Sequence, residues 1–205
     1  MNQKKAYGTT VLAVINCIVF FYLSLFGNTE DPIYMLNRGA MYIPYVLEYG
    51  QYYRIFTSMF LHFGFNHLMS NMVGLIFLGG HLEQRIGTVK YLIIYLISGL
   101  CGTLISTWNN IQIGRFPVSA GASGAIFGLM GAFVYVSLRY RRENDRSLGL
   151  RLLVMVAINV YAGFSGVNID NFAHIGGLVG GFICAAVLDV IRGGLSPRRS
   201  GDTGE

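Results

Sequence analysis

Six stretches of this chain are too apolar, for too long, to fold in water. They lie at roughly 7–26, 55–78, 91–108, 121–138, 150–164 and 172–191. An apolar run of about 18 residues or more with few charges reads as a helix that crosses a bilayer. Composition agrees: charged residues make up 12% of the chain, against about 25% in a typical soluble domain. The expected fold is all-α, a membrane protein of six transmembrane helices in a single domain, residues 1–205. The first stretch follows Lys4 and Lys5, as the apolar core of a signal peptide would. It is too long for that role and lacks a small-residue cleavage site, so it counts as a span. The spans leave one large loop, about 27–53, between helices 1 and 2. That loop has few charges, and its Pro32 and Pro44 would break a long helix. Short amphipathic helices lying in the membrane interface are expected there.

The net charge is +5, and its placement says more than its size. Lys4 and Lys5 precede the first span, and Arg85 and Lys90 follow the second. Arg139, Arg141, Arg142, Arg146 and Arg151 follow the fourth, and Arg192, Arg198 and Arg199 follow the sixth. The alternate connections hold only Arg38, Arg54 and Arg115. Under the positive-inside rule both termini are cytoplasmic, and the plasma membrane is the expected location. Basic residues confined to membrane edges argue for topology and against a nucleic-acid partner. Cys17, Cys101 and Cys184 all fall inside spans. They form no secreted-type disulfide framework and are expected to pack as small hydrophobes.

Polar and ionisable residues inside spans are costly and are functional candidates by default. Spans two, four and six run inward together, so their N-terminal ends share the external side. Ser123, in Gly121-Ala122-Ser123-Gly124, opens the fourth. From Ser123 to Arg139 the helix is only about 24 Å long at 1.5 Å per residue, short of the roughly 30 Å hydrocarbon core. The polar stretch 109–119 before it is expected to be irregular. Such backbone at membrane depth must line a cavity, so Ser123 is placed at the floor of an externally open pocket. The glycines around it, with Gly128 and Gly131, also fit simple close helix packing. At a helix start, however, free N–H groups favour developing negative charge, which suits a nucleophile. His174 opens the sixth span, and a histidine suits proton transfer near neutrality. Gly177 and Gly181 share its helix face and would let the fourth span approach. His67 and Asn71, four residues apart, share a face of the second span; both can donate to an oxyanion or satisfy each other. His62, five residues earlier on the same expected helix, is turned roughly 140° away, which argues against a shared metal face. No His-Glu-x-x-His motif occurs. Asp170 is expected to cap the sixth helix, and Glu83 and Arg85 to anchor the inner end of the second.

These residues resemble the rhomboid family of intramembrane serine proteases, over nearly the whole chain. His62, His67 and Asn71 fit its His-x4-His-x3-Asn pattern, and Gly121 to Gly124 its Gly-x-Ser-Gly motif. Ala173, His174, Gly177 and Gly181 fit Ala-His-x2-Gly-x3-Gly, and Glu83 with Arg85 fits Glu-x-Arg. The resemblance implies a rhomboid-like bundle with Ser123 as nucleophile and His174 as general base and acid. His67, Asn71 and the Ser123 backbone N–H would line the oxyanion hole. His62, Gly121, Gly124, Phe127, Gly177, Gly181, Glu83 and Arg85 would shape the surroundings. No cofactor and no metal are implied, and the substrate would be another membrane protein, cut in or near its transmembrane segment within the lipid bilayer. Tyr53-Arg54 stands where the family often has Trp-Arg, and Phe127 where an aromatic, often Tyr, follows the nucleophile by one turn.

Two other readings are weighed against a protease. A catalytically inactive rhomboid-like scaffold that binds membrane proteins should lack the serine or the histidine, and this chain keeps both. A transporter or channel should carry charges in mid-span or broken helices. Here the polar groups gather at one end of three spans. The fifth span, with Gly163 and Gly166 near its external end, is the expected gate.

Overall fold

A computed structural model describes residues 5–140 and 170–191. The expected fifth span, 150–164, and its gate glycines lie outside the described residues. Nine α-helices carry the description, joined by one isolated two-residue bridge. They are α1 (Tyr7–Phe26), α2 (Pro32–Asn37), α3 (Ile43–Leu47), α4 (Arg54–Thr57), α5 (Gly64–Gly74), α6 (Gly80–Ile86), α7 (Thr88–Gln112), α8 (Ser123–Tyr140) and α9 (Asn171–Ile191). Four of them, α1, α7, α8 and α9, are long and apolar enough to cross a membrane.

The centre is α8. Two-thirds of its apolar window (67%) is buried, against 28–39% for the other three long helices. It can sit there because its sequence alternates small and large residues. Gly124, Gly128 and Gly131 let neighbours press against its backbone, while Ile126, Leu129, Phe133 and Val136 fill the gaps between them. A Cβ on Gly177 would overlap the Gly124 carbonyl, and one on Gly181 the Gly128 carbonyl. The glycine faces of α8 and α9 are therefore in backbone contact.

Residues 55–78 do not form the single helix expected of a second span. Residues 54–60 form a short α turn and a 3₁₀ turn, Leu61 is extended, and the helix begins at Gly64. From there it continues through a π-helical turn, Leu75–Gly79, into α6. Two features end the first piece. Arg54 is buried, and its guanidinium donates to Leu36 O at 2.6 Å, Ala40 O at 2.8 Å and Gln51 Oε1 at 2.7 Å. It thereby ties this piece to the preceding loop. Gly64 then takes φ +76°, a conformation that favours glycine. Pro32 and Pro44 lie in the first turns of α2 and α3, where a missing N–H costs nothing.

The N-terminus of α1 is held by Glu83 on α6. Its carboxylate accepts from Gly8 N and Thr9 N, both at 2.7 Å, from Thr9 Oγ1 at 2.8 Å and from Thr88 Oγ1 at 2.6 Å. Helix α1 has no cap of its own, so a residue 75 positions away supplies both the acceptor and the negative charge that its N-terminus favours. The Arg85 guanidinium lies 4.8 Å from the ring centre of Phe133.

Candidate active site

Ser123 is the first residue of α8 because the chain before it cannot be helical. Gly121 has φ +143°, and its N–H is tied to Ser58 O at 2.9 Å. Just upstream, Ser119 and Met41 exchange two backbone hydrogen bonds, of 2.8 and 3.0 Å. The segment leading to Ser123 is thus stitched to the first loop. The helix ladder starts with Ile126 N to Ala122 O at 3.0 Å, so the N–H groups of Ser123, Gly124 and Ala125 lie outside it. The irregular segment is shorter than expected: residues 109–112 belong to α7, which runs to Gln112.

His174 lies in the first turn of α9, and its Nε2 is 3.0 Å from Ser123 Oγ. The two residues are 51 positions apart, brought together by the glycine contacts of α8 and α9. Phe127 stacks flat on the His174 ring, with centroids 4.1 Å apart and planes 7° apart. The ring edge that meets Ser123 is thus fixed by packing. The other ring nitrogen, Nδ1, is buried with no hydrogen-bond partner among the described residues. Asp170 does not reach it as a third triad member would. It accepts Ala173 N at 2.9 Å, as a helix cap, and also accepts from Ser106 Oγ.

His67 faces Gly121. A Cβ on Gly121 would stand 2.9 Å from His67 Nε2 and 3.7 Å from Ser123 Oγ. The small space above Gly121 is therefore shared by Ser123 and His67. His67 Nδ1 accepts the Phe63 N–H at 3.3 Å. A neutral ring with Nδ1 as acceptor carries its proton on Nε2, so Nε2 faces that space as a donor. Asn71 donates from Nδ2 to His67 O, one turn back, at 2.8 Å. It makes no hydrogen bond to Ser123 or His174 among the described residues, and one of its amide hydrogens remains uncommitted.

His62 is not on the helix that carries His67. It sits in the extended link before α5, almost fully buried, and its ring meets the His67 ring edge-on at 5.2 Å. The 140° separation assumed a continuous helix and does not apply. No cluster of three or more His, Cys, Asp or Glu suited to a metal occurs among the described residues.

A cavity of about 50 Å³ opens beside Ser123, lined by Thr103, Ser106 and Asn110 of α7, by Ser58, and by Asp170 and Ala173. The α7 contribution was missed from sequence. Its signal was there: Gly99, Gly102, Ser106 and Asn110 recur at helical spacing along one face of a helix with no charged residue after Lys90.

The chain matches the model of the Rhomboid domain over residues 49–189. It is 36% identical over 198 residues to Rhomboid protease GluP of Bacillus subtilis, covering 97% of this chain and 38% of that protein. It is 39% identical over 154 residues to RHOMBOID-like protein 1 of Arabidopsis thaliana, covering 74% of this chain and 38% of that one. The Putative rhomboid protease YdcA of Bacillus subtilis is 33% identical over 178 residues, with 85% and 84% covered. The chain therefore spans well under half the length of the first two relatives.

Proposed function

The chain belongs to the rhomboid family, and on that premise we propose that it is an intramembrane serine endopeptidase, cutting membrane-protein substrates in or near a transmembrane segment. The observation that carries the reading is the 3.0 Å approach of His174 Nε2 to Ser123 Oγ. In this reading His174 takes the hydroxyl proton as Oγ attacks the scissile carbonyl carbon. The carbonyl π electrons move to oxygen, and that oxyanion enters the space above Gly121. There it meets His67 Nε2–H and the free backbone N–H of Ser123. Asn71 would add its remaining amide hydrogen. Collapse breaks the C–N bond, and the imidazolium returns its proton to the leaving amine. A water, deprotonated by His174, then hydrolyses the acyl-serine. The dyad works without a carboxylate on Nδ1, and the Phe127 stack supplies the ring orientation that such a carboxylate would otherwise impose.

The rest of the reading is topological. Six spans in one domain would put both termini in the cytoplasm and the site near the external face. The short α8 would leave Ser123 below the surface, and the plasma membrane is the proposed location. The inactive-scaffold reading is disfavoured because Ser123 and His174 are both present and in hydrogen-bond reach. The test is a proteoliposome assay with a panel of reporter transmembrane segments. Wild type should release a fragment that Ser123→Ala does not. Equal product from both, or none from either across the panel, would overturn the protease reading.

A further inference from the structure

The first turn of α9 must hold His174 in place, and it is gripped from two sides. On one side the Ala173 carbonyl rests against bare glycines. A Cβ on Gly102 of α7 would stand 2.6 Å from it, and one on Gly124 of α8 3.4 Å. On the other side stands Asp170. Its Oδ1 accepts Ala173 N at 2.9 Å, and its backbone carbonyl accepts His174 N at 3.2 Å. Its Oδ2 reaches across to α7 and accepts from Ser106 Oγ. Asn110, one turn further along α7, donates to the same Ser106 oxygen at 3.2 Å. Ser106 is buried, with 5% of its surface exposed.

We propose that Asp170 is a positioning residue: through Ser106 it latches the first turn of α9 onto α7, and this latch sets the reach of His174 to Ser123. The inference rests on the Ser–His reading above. Capping α9 requires one acceptor oxygen, which Ser, Thr or Asn would also supply. The second oxygen and the α7 hydroxyl play no part in the cap, so they need a separate reason. The latch acts through the backbone of residues 173 and 174, since the buried Nδ1 of His174 has no hydrogen-bond partner among the described residues. Helix α7 contributes no other group to the dyad, yet it would fix the dyad's geometry. A misplacement of about 1 Å costs a reaction on the order of 100-fold.

The test uses the full chain in detergent micelles and an alkyl fluorophosphonate. The probe forms an Oγ–P bond to an activated serine. Fluoride leaves, and the serine proton passes to the base. It places no substrate side chain in the cavity, so its rate reads Ser123 activation alone. Wild type should be labelled and Ser123→Ala not. Asp170→Ala and Ser106→Ala should each slow labelling about 10- to 100-fold per folded molecule. Asp170→Asn, which keeps an oxygen for Ala173 N and gains a donor for Ser106 Oγ, should recover most of the loss. Folding is followed by thermal unfolding of the same samples, and Ser106→Ala removes one hydroxyl only, which guards against a collapsed Asp170→Ala. Wild-type labelling rates in folded Ser106→Ala overturn the latch, as do variants that lower the melting temperature without slowing the labelling of folded protein. If wild type itself is not labelled, it behaves like Ser123→Ala, and the protease reading falls first, taking the latch with it.

Discussion

Replacing Gly121 by alanine puts a methyl group into the space assigned to the oxyanion. The Cβ would stand 2.9 Å from both Nε2 and Cε1 of His67. Ordinary carbon contacts lie at about 3.5–4.0 Å, so something must retreat by roughly 0.6 Å or more. The Gly121 backbone is held by its bond to Ser58 O at 2.9 Å, whereas the His67 ring is held by a longer bond from Phe63 N at 3.3 Å and by edge-on packing against His62. The ring should therefore give, carrying the Nε2 donor away from the carbonyl oxygen. Losing one oxyanion donor costs about 100- to 1,000-fold in kcat. The φ of +143° adds backbone strain of roughly 1–3 kcal/mol, which lowers stability separately. Steady-state cleavage in proteoliposomes should show kcat down about 100-fold or more with KM changed little, alongside a lower melting temperature. A Gly121→Ala protein that is less stable yet cleaves at the wild-type kcat would refute the reasoning, because the oxyanion could not then lie above Gly121.

Three further outcomes are expected. Phe127→Leu removes the ring stacked on His174; aromatic pairing contributes about 0.5–1.5 kcal/mol, so kcat should fall by a few-fold to about tenfold in the same assay, with Phe127→Tyr much less affected. Arg54→Met leaves the Ala40 carbonyl without its donor, at about 1–3 kcal/mol, and leaves the Leu36 carbonyl only its local turn bonds; thermal unfolding should register the loss. Glu83→Gln turns one oxygen that accepts two hydrogen bonds into a donor facing donors. That should cost about 3 kcal/mol or more and lower the melting temperature while leaving Ser123 and His174 untouched.

The sequence showed the long helices well and their ends less well. Hydropathy placed α1, α8 and α9 to within two residues, because each is an apolar run bounded by glycine or charge. It failed at 55–63, where the residues are as apolar as a span. The break there comes from a buried guanidinium reaching back to the first loop and from a positive φ at Gly64, neither of which has a periodic signature. The same error put His62 on the wrong element, since an angular argument is only as good as the helix beneath it. Ser123 and His174 were legible because a serine and a histidine at apolar helix ends stand out against their surroundings. Ser106 was legible only as one of a row of small and polar residues on α7; its bond to Asp170 was not, because a buried serine on a glycine-rich face looks like packing until its partner across 64 positions is seen.

The central claim is that Ser123 and His174 act as one unit. Its most direct test compares cleavage rates of Ser123→Ala, His174→Ala and the double variant against wild type, in proteoliposomes with one reporter. Residues that act together are strongly non-additive. Each single variant should fall to near background, and the double variant should be no slower than either. Substantial cleavage by Ser123→Ala, or a double variant whose loss is the product of two independent partial losses, would contradict the account.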